Sequence, residues 1–410
     1  MYFLRGAEKD NAKFNKIIKK CIDCDYKDIY FLRMLNSTKR LRVGHIGWLA
    51  NDQNDYAQTV AWCDTNEERI QKACAKNPEI KGYTDYREML RDADLDLVVI
   101  ATPNWVHCEM ACDFLKAGVH VFLEKPMGIN RAEIDRLYNE ALASKAQLAI
   151  DFEMRISGFA RFVKILVQEG RLGGLRRMEL VHHRGGWLEE GNGIWRTRPE
   201  KSGGLFLMEP IHAIDFFRML AGEVSAVQSL SGPNVLGNYQ FPDNACTNLL
   251  FPNGITATLL TSHTLSAHTN NPKEWIDRGH DMRWVFTFSQ GSVLVDILRE
   301  KILINRYEVY PEGTNGTRVV FDREQDFEGQ GAAFYHDITS MRLDFIRRCA
   351  AGEKPLQDIG DARRTHLVCL AAEESALSGG RRIDLEPYTN VSLKLDFASQ
   401  NKGAWPSRPC

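Results

Sequence analysis

Residues 95–128 read LDLVVIATPNWVHCEMACDFLKAGVHVFLEKPMG. Leu97-Val98-Val99-Ile100-Ala101 is a continuous apolar run, and Val119-His120-Val121-Phe122-Leu123 is a second. Neither alternates in polarity, so each reads as a strand buried on both faces. Between them His107 to Ala117 has helical character and stops at Gly118, a residue that ends helices without a Cβ penalty. Two doubly buried strands joined by a helix make a crossover unit of a parallel sheet. Upstream, Leu41 to Gly47 and Thr59 to Cys63 repeat the strand pattern, followed by helices over Glu67 to Asn77 and Tyr86 to Asp92. Downstream, a helix over Arg131 to Ser144 and a strand over Gln147 to Asp151 extend it. The spacing predicts an α/β unit with helices on both faces of a parallel sheet over residues 41–155.

Beyond residue 155 the texture changes. Arg176 to His183, Val224 to Leu230, Thr247 to Phe251, Ile255 to Ser262, Trp284 to Phe288 and Ser292 to Ile297 alternate, or pair across Gly and Asn turns. That is the pattern of one-sided antiparallel strands. A late helix over Asp361 to Leu377 meets Gly379-Gly380 as its stop. Residues 156–385 are therefore expected to form an α+β domain on a large, mainly antiparallel open sheet. Residues 1–40, lysine-rich with scattered aromatics, read as an N-terminal extension, and 386–410 as a loose tail.

The chain has 410 residues, enough for two or three domains. Its 52 Lys+Arg against 54 Asp+Glu give a net charge of −2, which offers no electrostatic footprint for a nucleic-acid partner. No apolar run is long enough to span a membrane, and the charged start lacks the pattern of a secretion signal. A soluble, cytoplasmic protein with free thiols is expected. Cys21-x-x-Cys24 has no second cysteine pair at zinc-module spacing.

In open parallel sheets ligands bind beyond the carboxyl ends of the strands. Gly44 and Gly47 lie at the first such end, in Gly44-His45-Ile46-Gly47-Trp48-Leu49-Ala50, which lacks a tight glycine pair. Asp64 ends the second strand, where a carboxylate accepts from ribose hydroxyls and repels a 2′-phosphate. Thr102, Pro103, Asn104 and His107 follow the third, and Glu124-Lys125-Pro126 the fourth. These polar strand ends together mark a cleft. Lys125 could stabilise an alkoxide there, or be an ordinary lysine beside a proline turn. Further on, Ser202 to Leu220 holds Gly203-Gly204, Glu209, Pro210, His212 and Asp215. Pro210 suits a first helical turn, and His212 could exchange a proton near neutral pH or be structural. Glu209, His212 and Asp215 match no metal-ligand spacing well, so no metal is expected. Arg155, Trp187, Trp195 and Arg196 could wall a polyhydroxylated ligand, because indoles stack on sugar faces and guanidinium groups donate in a fork.

The Glu124-Lys125-Pro126 triplet after an apolar strand, Ala101-Thr102-Pro103-Asn104 with His107, the Gly203-Gly204 to His212-Asp215 block and the late helix into Gly379-Gly380 resemble the glucose-fructose oxidoreductase, inositol dehydrogenase and sugar dehydrogenase family. The resemblance spans about residues 41 to 385. It implies an N-terminal Rossmann-type domain binding NAD, with NADP less favoured, and a C-terminal domain whose sheet builds a homodimer or homotetramer. It also implies hydride transfer from a secondary hydroxyl of a sugar, glycoside or cyclitol, a carbohydrate being the partner molecule. Lys125 would match the family's lysine and His212 its acid–base histidine. The family's aspartate four positions before that histidine is here Met208, which leaves Glu209 as the neighbouring catalytic carboxylate. The glycine-poor phosphate loop is the second departure. Two alternatives stand beside the dehydrogenase: an NAD-dependent glycosidase or lyase working by transient C3 oxidation, and a non-catalytic sugar- or nucleotide-binding relative.

Overall fold

Strands β1 (Leu41–Gly47), β2 (Ala57–Cys63), β3 (Lys81–Tyr83), β4 (Leu97–Ala101), β5 (His120–Leu123) and β6 (Leu148–Ile150) form a parallel sheet in the order β3-β2-β1-β4-β5-β6. The order reverses between β1 and β4, which places a ligand crevice at their carboxyl ends. The computed structural model describes residues 40–48, 50, 52–185, 191–263, 280–297, 299–309, 317–326 and 334–385. The extension's Cys21 and Cys24, the tail and Trp187 lie outside them.

Helices α1 (Glu67–Lys76), α2 (Tyr86–Asp92), α3 (His107–Lys116) and α4 (Arg131–Ala143) connect the strands. Asn66, Asp85 and Asn130 cap α1, α2 and α4 by accepting from backbone amides one turn in, as short polar side chains do. α3 buries Cys108, Ala111, Cys112, Phe114 and Leu115 against the sheet. The first connection departs from the family plan. β1 ends at Gly47 and β2 begins at Ala57, with no helix among the described residues between them. The sheet face left open there is covered from the far end of the chain. Met341, Phe345 and Ile346 of α7 (Ile338–Ala350) pack on Leu41, Val43, Ala57, Leu97, Val99 and Phe122.

The second sheet has nine strands, ordered β14-β13-β12-β11-β7-β10-β9-β8-β15. They are β7 (Leu175–Arg184), β8 (Ala226–Leu230), β9 (Asn244–Leu250), β10 (Thr256–Ser262), β11 (His280–Phe288), β12 (Gly291–Asp296), β13 (Lys301–Val309), β14 (Thr317–Asp326) and β15 (Ile383–Asp384). All neighbours are antiparallel except β7 and β10, which run parallel with Leu180 opposite Leu259. Helices α5 (Gly158–Glu169), α6 (Pro210–Ala221) and α8 (Ile359–Leu377) supply its apolar cover. Phe159 of α5 stands 4.9 Å from the ring of Phe216 on α6 and 5.1 Å from Trp284 on β11. Burying such rings stabilises by roughly 1.5–3 kcal/mol each, and it fixes the rotation of α6 about its axis. That rotation aims His212 at the first sheet's ligand edge.

Candidate active site

Lys125 follows β5 and joins Pro126 through a cis peptide bond. Two buried histidines hold this turn. The Met127 amide donates to His366 Nε2 at 2.9 Å, so the His366 proton sits on Nδ1, which faces the Ala362 carbonyl at 2.8 Å. His107 lies with Nδ1 2.7 Å from the Pro126 carbonyl and Nε2 2.8 Å from that of Thr102. It thereby ties two strand ends together from beneath the cleft. Asn104 is also buried, donating to the Ser202 carbonyl at 2.8 Å and lying 3.3 Å from Met208 Sδ. Both residues expected to touch a cofactor thus join parts of the protein to each other.

Lys125 Nζ donates to the Met208 carbonyl. Burial pulls the ammonium below its ordinary pKa, against the opposing fields of Glu124 and Glu153. A lysine held this way gives up its proton more readily than one in water. Glu124 is raised by burial, as is Asp151 beside it.

His212 is the third residue of α6, behind Pro210 at the first helical position. Its ring is buried, edge-on to Phe152 with centroids 6.3 Å apart. Nδ1 lies 3.3 Å from Oε2 of Glu153. Burial holds the imidazole well below its usual pKa, so it is neutral at physiological pH. Burial opposes ionisation of Glu153, but its interactions with His212 and His336, a hydrogen bond with His336 among them, outweigh it and keep that group a carboxylate. His336 pairs with the other oxygen of Glu153, and its ring centroid is 5.2 Å from that of His212. Neither Glu153 nor His336 was singled out from the sequence. Glu153 follows the end of β6 just as Lys125 follows β5, so the strand-end rule carried its signal. His336 sits in an irregular segment before α7, with no local pattern to mark it.

The expected catalytic Glu209 pairs with Arg184 of β7. Its carboxylate is held by that guanidinium, while the carboxylate beside His212 is Glu153. Arg155, expected at the substrate wall, is instead committed to buried carboxylates. It donates to Asp215 at 2.5 and 2.7 Å and to Asp361 at 2.7 Å. Thr365 adds 2.8 Å to Asp215, and Arg218 adds 2.8 Å to Asp361. This network locks α6 to α8 behind His212. Glu209, His212 and Asp215 therefore point to three different partners, and the histidine and carboxylate groups that do converge are Glu153, His212 and His336.

Trp195 and Arg196, expected to wall a ligand, pack against each other and against Trp105. The Trp195 ring meets Trp105 edge-on at 5.4 Å, and the Arg196 guanidinium stands 4.4 Å over it. Lys201 lies 5.2 Å from the Trp105 ring. Trp105, 37% exposed, joins this cluster and was not singled out from the sequence, where it sits inside the Asn104–Val106 turn.

At the nucleotide edge, Gly47 has φ +84° and an added Cβ would stand 2.3 Å from the Ala101 carbonyl oxygen. Glycine is what lets the ends of β1 and β4 lie flush. Gly44 instead packs inside the sheet, where a Cβ would meet Leu95 at 2.7 Å. Asp64 ends β2 with Oδ1 accepting from the Asn66 amide at 2.9 Å and Oδ2 2.6 Å from Arg69.

Residues 42–152 match the family described as "Oxidoreductase family, NAD-binding Rossmann fold", and residues 160–294 match the "GFO/IDH/MocA C-terminal domain", together more than half of the chain. The chain belongs to the GFO/IDH/MocA family and is an NAD(P)-dependent oxidoreductase. It is similar to the myo-inositol 2-dehydrogenase of Thermotoga maritima, 26% identical over 345 residues that cover 81% of this chain and 92% of that one. The levoglucosan dehydrogenase of Pseudarthrobacter phenanthrenivorans is 25% identical, over 76% of this chain and 86% of its own. A solved levoglucosan dehydrogenase, in complex with NADH and L-sorbose, superposes with a TM-score of 0.67 at 21% identity, covering 85% of this chain and 99% of that one.

NAD is the cofactor of this fold. Gly47 and the carboxylate of Asp64, at the ends of β1 and β2, would hold its adenosine half, and Lys125, after β5, would face its nicotinamide half. The helix whose N-terminal amides would face the pyrophosphate is absent among the described residues.

Proposed function

We propose that the protein oxidises a secondary hydroxyl of a sugar, glycoside or cyclitol with NAD. The supporting observation is the placement of Lys125 beside the start of α6: Lys125 Nζ is anchored on the carbonyl of Met208, four residues before His212, and the Lys125 charge helps burial to hold the His212 imidazole neutral. Residues 41–155 are taken as the nucleotide half and 156–385 as the substrate half, with the site between them.

When bound, NAD supplies the hydride acceptor. Lys125 donates to the substrate hydroxyl oxygen and stabilises the charge that builds on it as the C–H bond breaks. Neutral His212 accepts the hydroxyl proton through Nε2, with Nδ1 directed at Glu153. Glu153, 3.3 Å from Nδ1, steadies the imidazolium once formed. Glu209, through Arg184, shapes the neighbouring wall, and Trp195 with Arg196 offers an aromatic and a cationic surface to a polyhydroxylated ligand. Asp64 favours NAD over NADP. The dehydrogenase and inositol-enzyme names of the relatives support this substrate class.

A homodimer or homotetramer is part of the same proposal, formed across the open face of the nine-stranded sheet, where Leu230 and Leu260 are 54% and 40% exposed. A cytoplasmic location accords with the absence, among the described residues, of any helix long and apolar enough to cross a membrane.

The test is calorimetric titration with NAD, NADH and NADP, followed by a screen for NADH formation with polyols and glycosides. Micromolar binding of the NAD pair with turnover of a polyol is the expected result. A folded protein that binds no dinucleotide would overturn the proposal.

A further inference from the structure

Glu153, His212 and His336 come from three separate segments: the turn after β6, the first turn of α6, and the residues just before α7. One donor atom from each lies within 4.8 Å of the other two. His212 is 6% exposed and Glu153 1%. His212 Nδ1 points at the carboxylate from 3.3 Å, yet it is not aligned for a hydrogen bond. An imidazole nitrogen buried without an aligned donor or acceptor normally costs stability. The third member, His336, approaches the opposite carboxylate oxygen, so both imidazoles converge on one anionic group.

We infer that Glu153, His212 and His336 form a binding site for a divalent transition-metal ion of the zinc class. Two imidazoles and one carboxylate are a donor set such ions favour, with metal–nitrogen and metal–oxygen distances of about 2.0–2.2 Å. Donors around a tetrahedral centre of that radius stand about 3.4 Å apart, so small side-chain rotations from the observed spacing suffice. The first metal-binding requirement, ligands from a rigid frame, is met: Glu153 is fixed by the sheet end, His212 by the packed helix and His336 by its place before α7. Glu124 and Asp151 lie close enough to interact electrostatically with Glu153, but burial raises both, so Glu153 is the anionic donor of the site. Three protein ligands leave the remaining coordination position for a water or a hydroxyl oxygen. Metal uptake itself involves no hydride transfer, and on His212 it competes with the proposed general-base form. The ion would bind Nδ1 in the other neutral tautomer, the single imidazole proton having moved from Nδ1 to Nε2.

The experiment uses the full chain, dialysed against a chelator and titrated with zinc chloride by calorimetry, with cobalt(II) absorption as a second readout. The expected result is one metal ion per chain, with binding weakened about tenfold or more in both His336→Ala and Glu153→Gln. Circular dichroism and melting are recorded for each variant, and His336→Gln takes the place of the alanine variant if that one fails to fold. No binding by folded protein, or binding unchanged in folded variants at both positions, overturns the inference. NADH titration of the same samples reads the dehydrogenase proposal separately, so either can fail alone.

Discussion

Arg342 of α7 grips Asp52 through two nitrogens, with Nε 3.0 Å from Oδ2 and Nη2 3.0 Å from Oδ1, although 290 residues separate them. Asp52 stands in the connection between β1 and β2, and His45 Nε2 lies 3.3 Å from the same carboxylate. Where the family has a crossover helix, this chain has a short segment fastened to a helix from the other end of the chain. Both partners of the pair are almost fully buried. Removing one member of such a pair leaves an uncompensated buried charge, at a cost of about 3–5 kcal/mol. Arg342→Ala is therefore expected to lower the melting temperature by several degrees or more. It should also weaken NAD binding, because the segment at the pyrophosphate edge loses its anchor. Denaturant unfolding and NADH calorimetry on one sample check both, and unchanged stability would remove the pair from this role.

Replacing Lys125 tests the chemistry itself. Lys125→Ala is expected to lower kcat by about 10²–10⁴ while NADH affinity changes little, because the cost falls on stabilising the developing alkoxide. Stopped-flow measurement of single-turnover NADH formation reads the step directly. Undiminished turnover would show that Lys125 only supports the turn against Met208.

Much of this architecture was legible in the sequence because it rests on periodicity. The apolar strands at Leu97 and Val119 and the helix after His107 announced the parallel sheet, and the alternating strands after residue 155 announced the second. Lys125 and His212 stood out because each follows a structural signal, a strand end and a helix-starting proline. What stayed hidden is long-range. Arg155 reads as a substrate-wall residue until Asp215 and Asp361 are placed beside it, and Glu209 as a catalytic carboxylate until Arg184 arrives from β7. Glu153 and His336 become a cluster only when α6 and the segment before α7 are packed together. Gly47 and Asp64 lie close in the sequence, in keeping with a first connection that has no helix among its described residues, but the packing of α7 on that face has no local signal.

Glu373 of α8 offers a stability test away from the chemistry. Its Oε2 accepts from the Phe206 amide at 3.1 Å, and Gly204 packs so tightly on the carboxyl that a Cβ would stand 2.7 Å from it. Burial pushes this carboxyl up to about 7 from an ordinary 4.5. The folded state therefore holds a proton that the unfolded chain releases from about pH 4.5 upward. Stability from this group is full below that pH and falls as pH rises through about 7, by on the order of 3 kcal/mol. Glu373→Gln keeps an acceptor oxygen, so it should flatten the decline between pH 4.5 and 7 and raise the melting temperature at pH 8. A variant whose melting curve tracks the parent across that range would show that Glu373 ionises normally in the fold.

Cofactor choice turns on the pair at the end of β2. Asp64 lies at the carboxyl end of β2, where the proposed dinucleotide site puts the ribose, and Arg69 holds its Oδ2 at 2.6 Å while standing 5.8 Å from the Trp62 ring. The carboxylate accepts from ribose hydroxyls and repels a 2′-phosphate, whereas an arginine nearby can receive that phosphate once the carboxylate is gone. Asp64→Ala should thus lower kcat/KM for NAD and raise it for NADP, shifting their ratio by about 10–100-fold, equivalent to about 1.4–2.8 kcal/mol. In the double variant Asp64→Ala with Arg69→Ala the gain for NADP should vanish while the loss for NAD remains. Initial rates with both dinucleotides across the parent and two variants measure this. A ratio unchanged by the single substitution would mean that the adenosine lies elsewhere along the crevice, away from the end of β2.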